Sequence, residues 1–338
     1  MNESEPSSGI AEPEGQSAAA TEAGADWIEA IRSGLLAWFR GNARDLPWRH
    51  TRDPYRVLVS EVMLQQTQVD RVIPYYEAFL GRFLTVEALA AAPTAEVIRL
   101  WAGLGYNRRA VNLQRTAQAV VERGGWPTDP EGLRSLPGIG PYTAGAVACF
   151  AFEQDVAFID TNMRRVVHRL RFGPDLPTPL AGERAVLETA ARLVPPERGW
   201  EWNQALIEFG ALHCTARKPA CVVCPLQRSC RAYPAIQSIV ASLPRGTRKK
   251  IEAPFAGSNR YYRGRVLDAL RSVPPATSTG IDLRQLGPRV REGFAETDVP
   301  WLRTVVDGLA RDGLAVIAEE RPPYDAADPG AARVRLPD

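Results

Sequence analysis

The chain has 338 residues, 45% hydrophobic and 24% charged, enough for two domains with sizeable cores. Its net charge of +2 hides an asymmetry: residues 1–25 carry Glu3, Glu5, Glu12, Glu14 and Glu22 with neither Lys nor Arg, so the rest is distinctly basic and suits a polyanionic partner. No apolar run of about 18 residues exists, which excludes a membrane-spanning helix, and the start lacks the basic and apolar regions of a secretory signal.

Residues 1–25, rich in Ser, Ala, Gly and Glu, are expected to form a disordered acidic tail. Over 26–40, Trp27, Ile31, Leu35 and Trp38 recur at helical intervals. LPWR (46–49) reads as a loop, and 55–82 as a helix broken or bent near Pro74. Short helices fill 84–123, interrupted at GLGY (103–106), and Asp129 and Pro130 open another. LPGIGPYT (136–143) is a tight turn into an Ala-rich helix, and further helices are expected near 161–171, 180–194 and 200–213. No strand alternation precedes residue 255, so a first domain over 26–232 reads as all-α. Residues 233–258, with Pro, Gly, Ser and the basic residues Arg245, Arg248, Lys249 and Lys250, read as a linker. Beyond it, 259–338 predicts helices over 262–270 and 283–290. A third has Pro300 in its first turn and Trp301, Val305 and Leu309 on one face, and is ended by Gly313. The strands LAVIAEE and ARVRLP complete a small winged-helix-like α+β domain.

Four of the five cysteines crowd into 214–230, as Cys214-x6-Cys221-x2-Cys224-x5-Cys230, while Cys149 lies alone in an apolar run. Crowding of this kind, in a chain without an export signal, points to a metal site rather than a disulfide framework. Four thiolates in one loop suit zinc or a [4Fe–4S] cluster, and the single CxxC unit disfavours a simple zinc site. Such a cluster is expected to be structural, stiffening a loop that carries Arg217, Lys218 and Arg228 toward phosphates. Gly138 and Gly140 let the backbone turn sharply before a helix whose first N–H groups are unpaired, a natural phosphate seat, though by themselves they fit a plain turn equally well.

Two carboxylates stand out. Glu61 sits among Val59, Val62 and Leu64, where burial would raise its pKa and keep it protonated as an acid. Asp160, in VAFIDTNMRRV, starts a helix, and an N-cap role would explain it as well as a catalytic one. Hydrolysis of an N-glycosidic bond in DNA needs both kinds of group, an acid for the departing base and an anion for the oxocarbenium-like sugar.

From about Trp38 to Ala232, the segments LPWR (46–49), SEVMLQQTQV (60–69), GLGY (103–106), LPGIGPYTAGA (136–146), IDTN (159–162), NQALIEFGA (203–211) and the cysteine loop occur in one order and spacing. Together they resemble the MutY adenine glycosylases of the endonuclease III superfamily. The resemblance implies a mainly α, helix-hairpin-helix glycosylase fold with a [4Fe–4S] cluster held by Cys214, Cys221, Cys224 and Cys230. It implies that Asp160 stabilises the sugar cation, that Asn162 orients it, and that Glu61 protonates N7 of adenine and then handles the attacking water. Tyr142 stands where endonuclease III enzymes carry a Schiff-base lysine; a phenol cannot form that imine, so the enzyme is expected to be a monofunctional hydrolase. Gln65 and Tyr106 correspond to residues that fill the stack when a base is flipped out. Gln66 and Trp48 correspond to contacts around the estranged guanine or 8-oxoguanine, Gly138 and Gly140 to the backbone grip, and Arg44, Arg49, Leu64 and Gln204 to the adenine pocket. The implied partner is double-stranded DNA with a mispaired base, bound by a monomer in the cytoplasm of a prokaryote.

Members of that family typically end in a Nudix-like domain. Residues 259–338 show neither its strand-rich pattern nor its Phe-Ser-His loop, which leaves the base opposite adenine open. Three rivals are weighed: a thymine or uracil remover acting opposite G, a non-catalytic iron–sulfur DNA-binding protein, and a bifunctional lyase. QQTQ and GLGY disfavour the first, the presence of both Glu61 and Asp160 the second, and Tyr142 the third.

Overall fold

Side-chain caps and left-handed residues set the boundaries of the helices, and the described residues before 255 contain helices and no strand. The computed structural model describes residues 14–244, 255–273, 280–319 and 332–338, with 14–23 and Glu319 as backbone only. In chain order the helices are α1 (Glu14–Asn42), α2 (Pro54–Leu64), α3 (Val69–Arg82), α4 (Val86–Ala91), α5 (Thr94–Leu100), α6 (Arg108–Glu122), α7 (Pro130–Arg134) and α8 (Pro141–Phe152). They continue as α9 (Thr161–Arg171), α10 (Glu183–Leu193), α11 (Gly199–Leu212), α12 (Ala235–Ser242), α13 (Asn259–Arg271), α14 (Leu283–Val290) and α15 (Val299–Arg311). The strands are β1 (Ile281–Asp282), β2 (Val316–Glu319) and β3 (Ala332–Arg335). Asp53, Thr85, Asp129, Asp160, Ser258 and Asp282 cap α2, α4, α7, α9, α13 and α14 by accepting from first-turn N–H groups that have no partner within the helix.

Several boundaries differ from the sequence expectation. Helix α1 begins at Glu14 rather than near Asp26, and residues 1–13 lie outside the described residues. The break in 55–82 falls after Leu64, not at Pro74. Gln66 turns left-handed (φ 56°), whereas Pro74 forfeits a single intrahelical bond and α3 runs through it. Helix α12 occupies part of the expected linker, whose basic residues 245–250 lie outside the described residues. The expected hairpin gains a third strand, for the antiparallel order is β1-β3-β2, with Ile281 opposite Val334 and Val316 opposite Arg335.

The chain divides into two compact units. The first comprises residues 1–44 and 153–243. Here α1 packs on α11, with the Trp38 ring edge-on to Phe209 at 4.9 Å. Helix α11 also closes on α9 at Gly210, where an added Cβ would stand 2.9 Å from that of Asn162.

The second unit comprises residues 45–152 and 244–338. Helix α8 is buried from Thr143 to Ala151, and its small residues let α2 pack closely on it. Phe79, Phe83 and Trp101 form an edge-to-face aromatic group. Helices α13, α14 and α15 and the sheet enclose an apolar core of Leu267, Leu283, Leu302 and Val334 that also takes in Ile98 of α5 and Val111 of α6. The carbonyls of Pro337 and Asp338 accept from Ala95 and Thr94 N–H at 2.9 and 3.0 Å, so the last residues cap α5. No described helix is long and apolar enough to cross a membrane.

Candidate functional site

In the first unit, Asp160 is the N-cap of α9. Its Oδ1 accepts from Met163 N–H at 2.7 Å and its Oδ2 from the Asn162 side chain at 3.2 Å, so both oxygens are oriented. Asn162 is fixed in turn by Arg165, whose Nη2 donates to Asn162 Oδ1 (2.9 Å) and to the Gly210 carbonyl (2.6 Å), while Nε donates to the Cys214 carbonyl at 2.7 Å. One chain of hydrogen bonds thus runs from the half-buried carboxylate to the first cysteine of the loop. Arg165 is 9% exposed, and burial pulls its pKa down from the ordinary value although the neighbouring Cys214 opposes this.

One turn on, Arg169 is 1% exposed. It donates to Asp175 (2.6 Å), to the carbonyls of Thr215 (2.8 Å) and Ala216 (3.0 Å), and to Cys214 Sγ at 3.6 Å. Burial works against its charge, but Cys214 and Asp175 outweigh that and hold its pKa above the ordinary value. Burial pushes all four loop thiols up, Cys224 to about 12, and Cys221, Cys224 and Cys230 also feel the charge of their fellow cysteines. Four thiols close enough to repel one another as thiolates, and none in a disulfide, call for a bound cation. A single tetrahedral zinc, with Zn–S bonds of about 2.3 Å, would draw its sulfurs to about 3.8 Å from one another. Among the described residues no three His, Cys, Asp or Glu side chains lie close enough to share a single metal ion. The set fits a cluster in which each thiolate holds its own iron.

The same unit holds Arg44 and Gln204. The Arg44 guanidinium is spent on Glu208, through Nε–Oε1 at 2.7 Å and Nη2–Oε2 at 2.8 Å, with the Glu208 side chain fully buried; Gln204 is buried at 6% exposure.

In the second unit, Glu61 lies on α2 and is 6% exposed, a carboxyl carried on a helix whose neighbours are nearly all apolar. Leu64 is half-buried at the end of that helix, and Gln65 and Gln66 follow it, both exposed. Tyr106 is 44% exposed and left-handed (φ 47°), at the end of a loop with left-handed Gly103 and Gly105. Arg109 joins the two turns. Its Nη1 donates to the carbonyls of Val62 (2.8 Å), Met63 (3.0 Å) and Gln65 (2.6 Å), and its Nη2 to those of Leu104 (3.3 Å) and Gly105 (3.2 Å) and to Thr67 Oγ1 (3.3 Å). Burial lowers its pKa to about 10, which leaves it charged at neutral pH.

Trp48 is 7% exposed and packs edge-on to Tyr76 at 5.5 Å, and Arg49 is buried at 9%. Helices α7 and α8 flank the hairpin turn. Gly138 is left-handed (φ 81°), and a Cβ there would meet Asn112 Cβ at 2.8 Å; at Gly140 a Cβ would meet open space. Half-buried Tyr142 lies in the first turn of α8.

Sequence reasoning missed Arg109, Arg165, Arg169 and Glu208. Asn162, Arg165 and Arg169 follow one another at i+3 and i+4, the spacing of one helix stripe, so a polar stripe leading from IDTN toward the cysteines was available as a signal. Arg109 carries no comparable mark.

Comparison with known proteins adds an independent line. The family described as "HhH-GPD superfamily base excision DNA repair protein" matches residues 59–192, and the "Iron-sulfur binding domain of endonuclease III" matches 214–230, the span bounded by the outer cysteines. The adenine DNA glycosylase of Mycolicibacterium smegmatis is 41% identical over 294 residues, covering 85% of this chain and 95% of that protein. Among solved structures, a thermostable thymine-DNA glycosylase superimposes with a TM-score of 0.58 at 33% identity, over 62% of this chain and 98% of its own. Endonuclease III in a non-covalent complex with DNA gives 0.53 at 26% identity, over 61% and 94%.

Proposed function

The chain belongs to the adenine DNA glycosylases, iron–sulfur members of the HhH-GPD superfamily of base excision repair proteins, and we propose that its substrate is adenine mispaired with 8-oxoguanine or guanine in double-stranded DNA. The observation that carries the reading is the Asp160 carboxylate. It sits at a helix N-terminus with each oxygen held by an N–H donor, as suits an anion that must meet a developing sugar cation in a fixed orientation.

In the proposed reaction Glu61 donates a proton to N7 of adenine, the bond between the sugar C1′ and N9 breaks, and its electron pair leaves with the base. Asp160 stabilises the oxocarbenium-like sugar. Glu61, now ionised, accepts a proton from the water that adds to C1′, giving free adenine and an abasic site. The burial of Glu61 in α2 supports its role as the acid. Tyr142 offers no amine for an imine, which supports hydrolysis without a lyase step. Gln65 and Tyr106, exposed on turns, are proposed to fill the space of the flipped base, Gln66 to contact the estranged partner, and Gly138 and Gly140 to seat a phosphate. The resemblance assigns Leu64, Arg49, Gln204 and Arg44 to adenine recognition; Leu64 and Arg49 belong to the second unit, and Gln204 and Arg44, whose guanidinium is held by Glu208, to the first.

Cys214, Cys221, Cys224 and Cys230 hold the cluster, which when bound supplies positive charge to four thiolates and a rigid anchor for their loop. Through Arg165 and Asn162 the same loop bears on the orientation of Asp160.

Duplexes carrying A opposite 8-oxoguanine, A opposite G, T opposite G and U opposite G test the reading. Adenine is expected to be released from the first two, and Asp160→Asn is expected to abolish release while duplex binding survives. Release of thymine or uracil with none of adenine would place the chain with the mismatch thymine glycosylases. Full activity of Asp160→Asn would remove the mechanism.

A further inference from the structure

Tyr106, Asn107 and Arg108, three residues in a row, are each held by a different side chain from residues 255–338 of the same unit. The Arg260 guanidinium lies over the Tyr106 ring, 4.4 Å from its centroid. Arg271 donates from Nη2 to Asn107 Oδ1 at 2.9 Å and from Nε to the Ile98 carbonyl at 3.2 Å. Asp312 lies 3.5 Å from Arg108 Nη1 and is itself held by Arg263. These contacts converge on a corner where an aromatic residue is left-handed and half out in solvent, a conformation that persists only where its surroundings enforce it. The shared core around Ile98 and Val111 and the capping of α5 by Pro337 and Asp338 fix the C-terminal region firmly against this corner.

Several arginines of this region are already paired with carboxylates, which weakens its use as a second DNA grip. Arg263 is paired with Asp312, Arg284 with Glu296, Arg291 with Asp298 and Arg303 with Asp307. Cations neutralised by carboxylates of their own surface release few counterions on meeting phosphates.

We propose that α13 and the end of α15 serve as a positioning element for Tyr106: they hold this residue left-handed at the start of α6 and lay Arg260 on its ring, so the ring enters the base stack already oriented. The inference rests on the reading of Tyr106 as the residue that fills the stack. Arg260 acts through Tyr106 and does not itself take part in the chemistry.

The test uses the full chain and a mispaired duplex with 2-aminopurine beside the mispair, whose fluorescence rises as bases unstack. Arg260→Ala is expected to lower both the fluorescence rise and the single-turnover excision rate by roughly two- to fivefold, the effect of losing one exposed cation–π contact, with no change in Tm. Arg260→Lys is expected to recover most of the loss. Tyr106→Ala is expected to lose more, and Tyr106→Ala with Arg260→Ala no more than Tyr106→Ala alone, because the two residues act as one. If the two losses multiply in the double variant, Arg260 acts on DNA independently and the proposal fails; it fails too if Arg260→Ala is silent. If Tyr106→Ala is itself silent, the fault lies in the reading of Tyr106.

Discussion

Arg165 in the first unit and Arg109 in the second are each 9% exposed and each tie a helix to a turn, yet they meet different partners. Burial and the neighbouring Arg169 disfavour the charge of Arg165, while Cys214, Asp175 and Asp160 favour it, and its fork links the Asp160–Asn162 pair to the cysteine loop. Arg109 has no carboxylate partner among its hydrogen bonds. It is held by five backbone carbonyls and one hydroxyl, and lies 5.5 Å from the Trp101 ring centroid and 5.6 Å from that of Tyr106. The difference follows from what each organises. A carboxylate that must meet a cation is best oriented through a charged relay, which also couples it to the metal loop. Two turns that keep a fixed spacing are well held by dipoles, which, on the proposed reading of Gln65 and Tyr106, accept a guanidinium without adding a competing anion next to DNA.

The largest effect is expected from Arg165→Met. Removing the guanidinium leaves Asn162 Oδ1 and the carbonyls of Gly210 and Cys214 without this donor, at a cost of about 3–5 kcal/mol in stability. Because one of those carbonyls belongs to Cys214, the iron content per chain is expected to fall with activity. Iron analysis and the visible absorbance of the cluster check this. Full iron loading with activity lost would separate Asp160 from the loop and break one half of the comparison.

Arg109→Met is expected to cost less, about 2–3 kcal/mol, because the carbonyls it abandons belong partly to turns near solvent. It is expected to keep its iron in full and to lose base unstacking, read as a lower urea midpoint together with a weaker 2-aminopurine signal. Loss of iron in this variant would show that the two arginines do not divide the work as described.

Much of the first unit's arrangement could be read from the chain. IDTN marks a helix start with an aspartate cap, and the cysteine spacing marks a metal loop, because caps and thiolate ligands are local chemistry with fixed spacing. Glu61 was legible for a related reason, as a carboxyl in an apolar helix is anomalous wherever it occurs. Arg109 was not legible, since its role depends on carbonyls 44–47 residues away meeting others four and five residues away, and a carbonyl leaves no trace in a sequence. The inward packing of Trp48 on Tyr76 was not legible either, since LPWR reads as a loop and the resemblance speaks only of a contact with the estranged base. The break at Gln65–Gln68 was hidden by Pro74, the stronger local signal, although the left-handed Gln66 ends the helical path first.

The smallest effects are expected at the hairpin turn, and there the two glycines separate fold from contact within one unit. Gly138 is left-handed and its missing Cβ is what lets Asn112 approach, so Gly138→Ala must either strain the backbone or push α6 away. A stability loss of about 1–2 kcal/mol is expected, with DNA affinity falling as a consequence. At Gly140 an added Cβ meets nothing within 4 Å, so Gly140→Ala is expected to change stability by less than about 0.5 kcal/mol. If the turn seats a phosphate, that methyl group stands where the backbone of the DNA must come close, and affinity for duplex should drop while Tm stays put. Thermal unfolding and a binding titration at one fixed salt concentration read the two quantities separately. A Gly140→Ala variant that binds duplex as tightly as the parent would mean that the glycine serves the turn alone, and the phosphate seat would have to lie elsewhere on the unit.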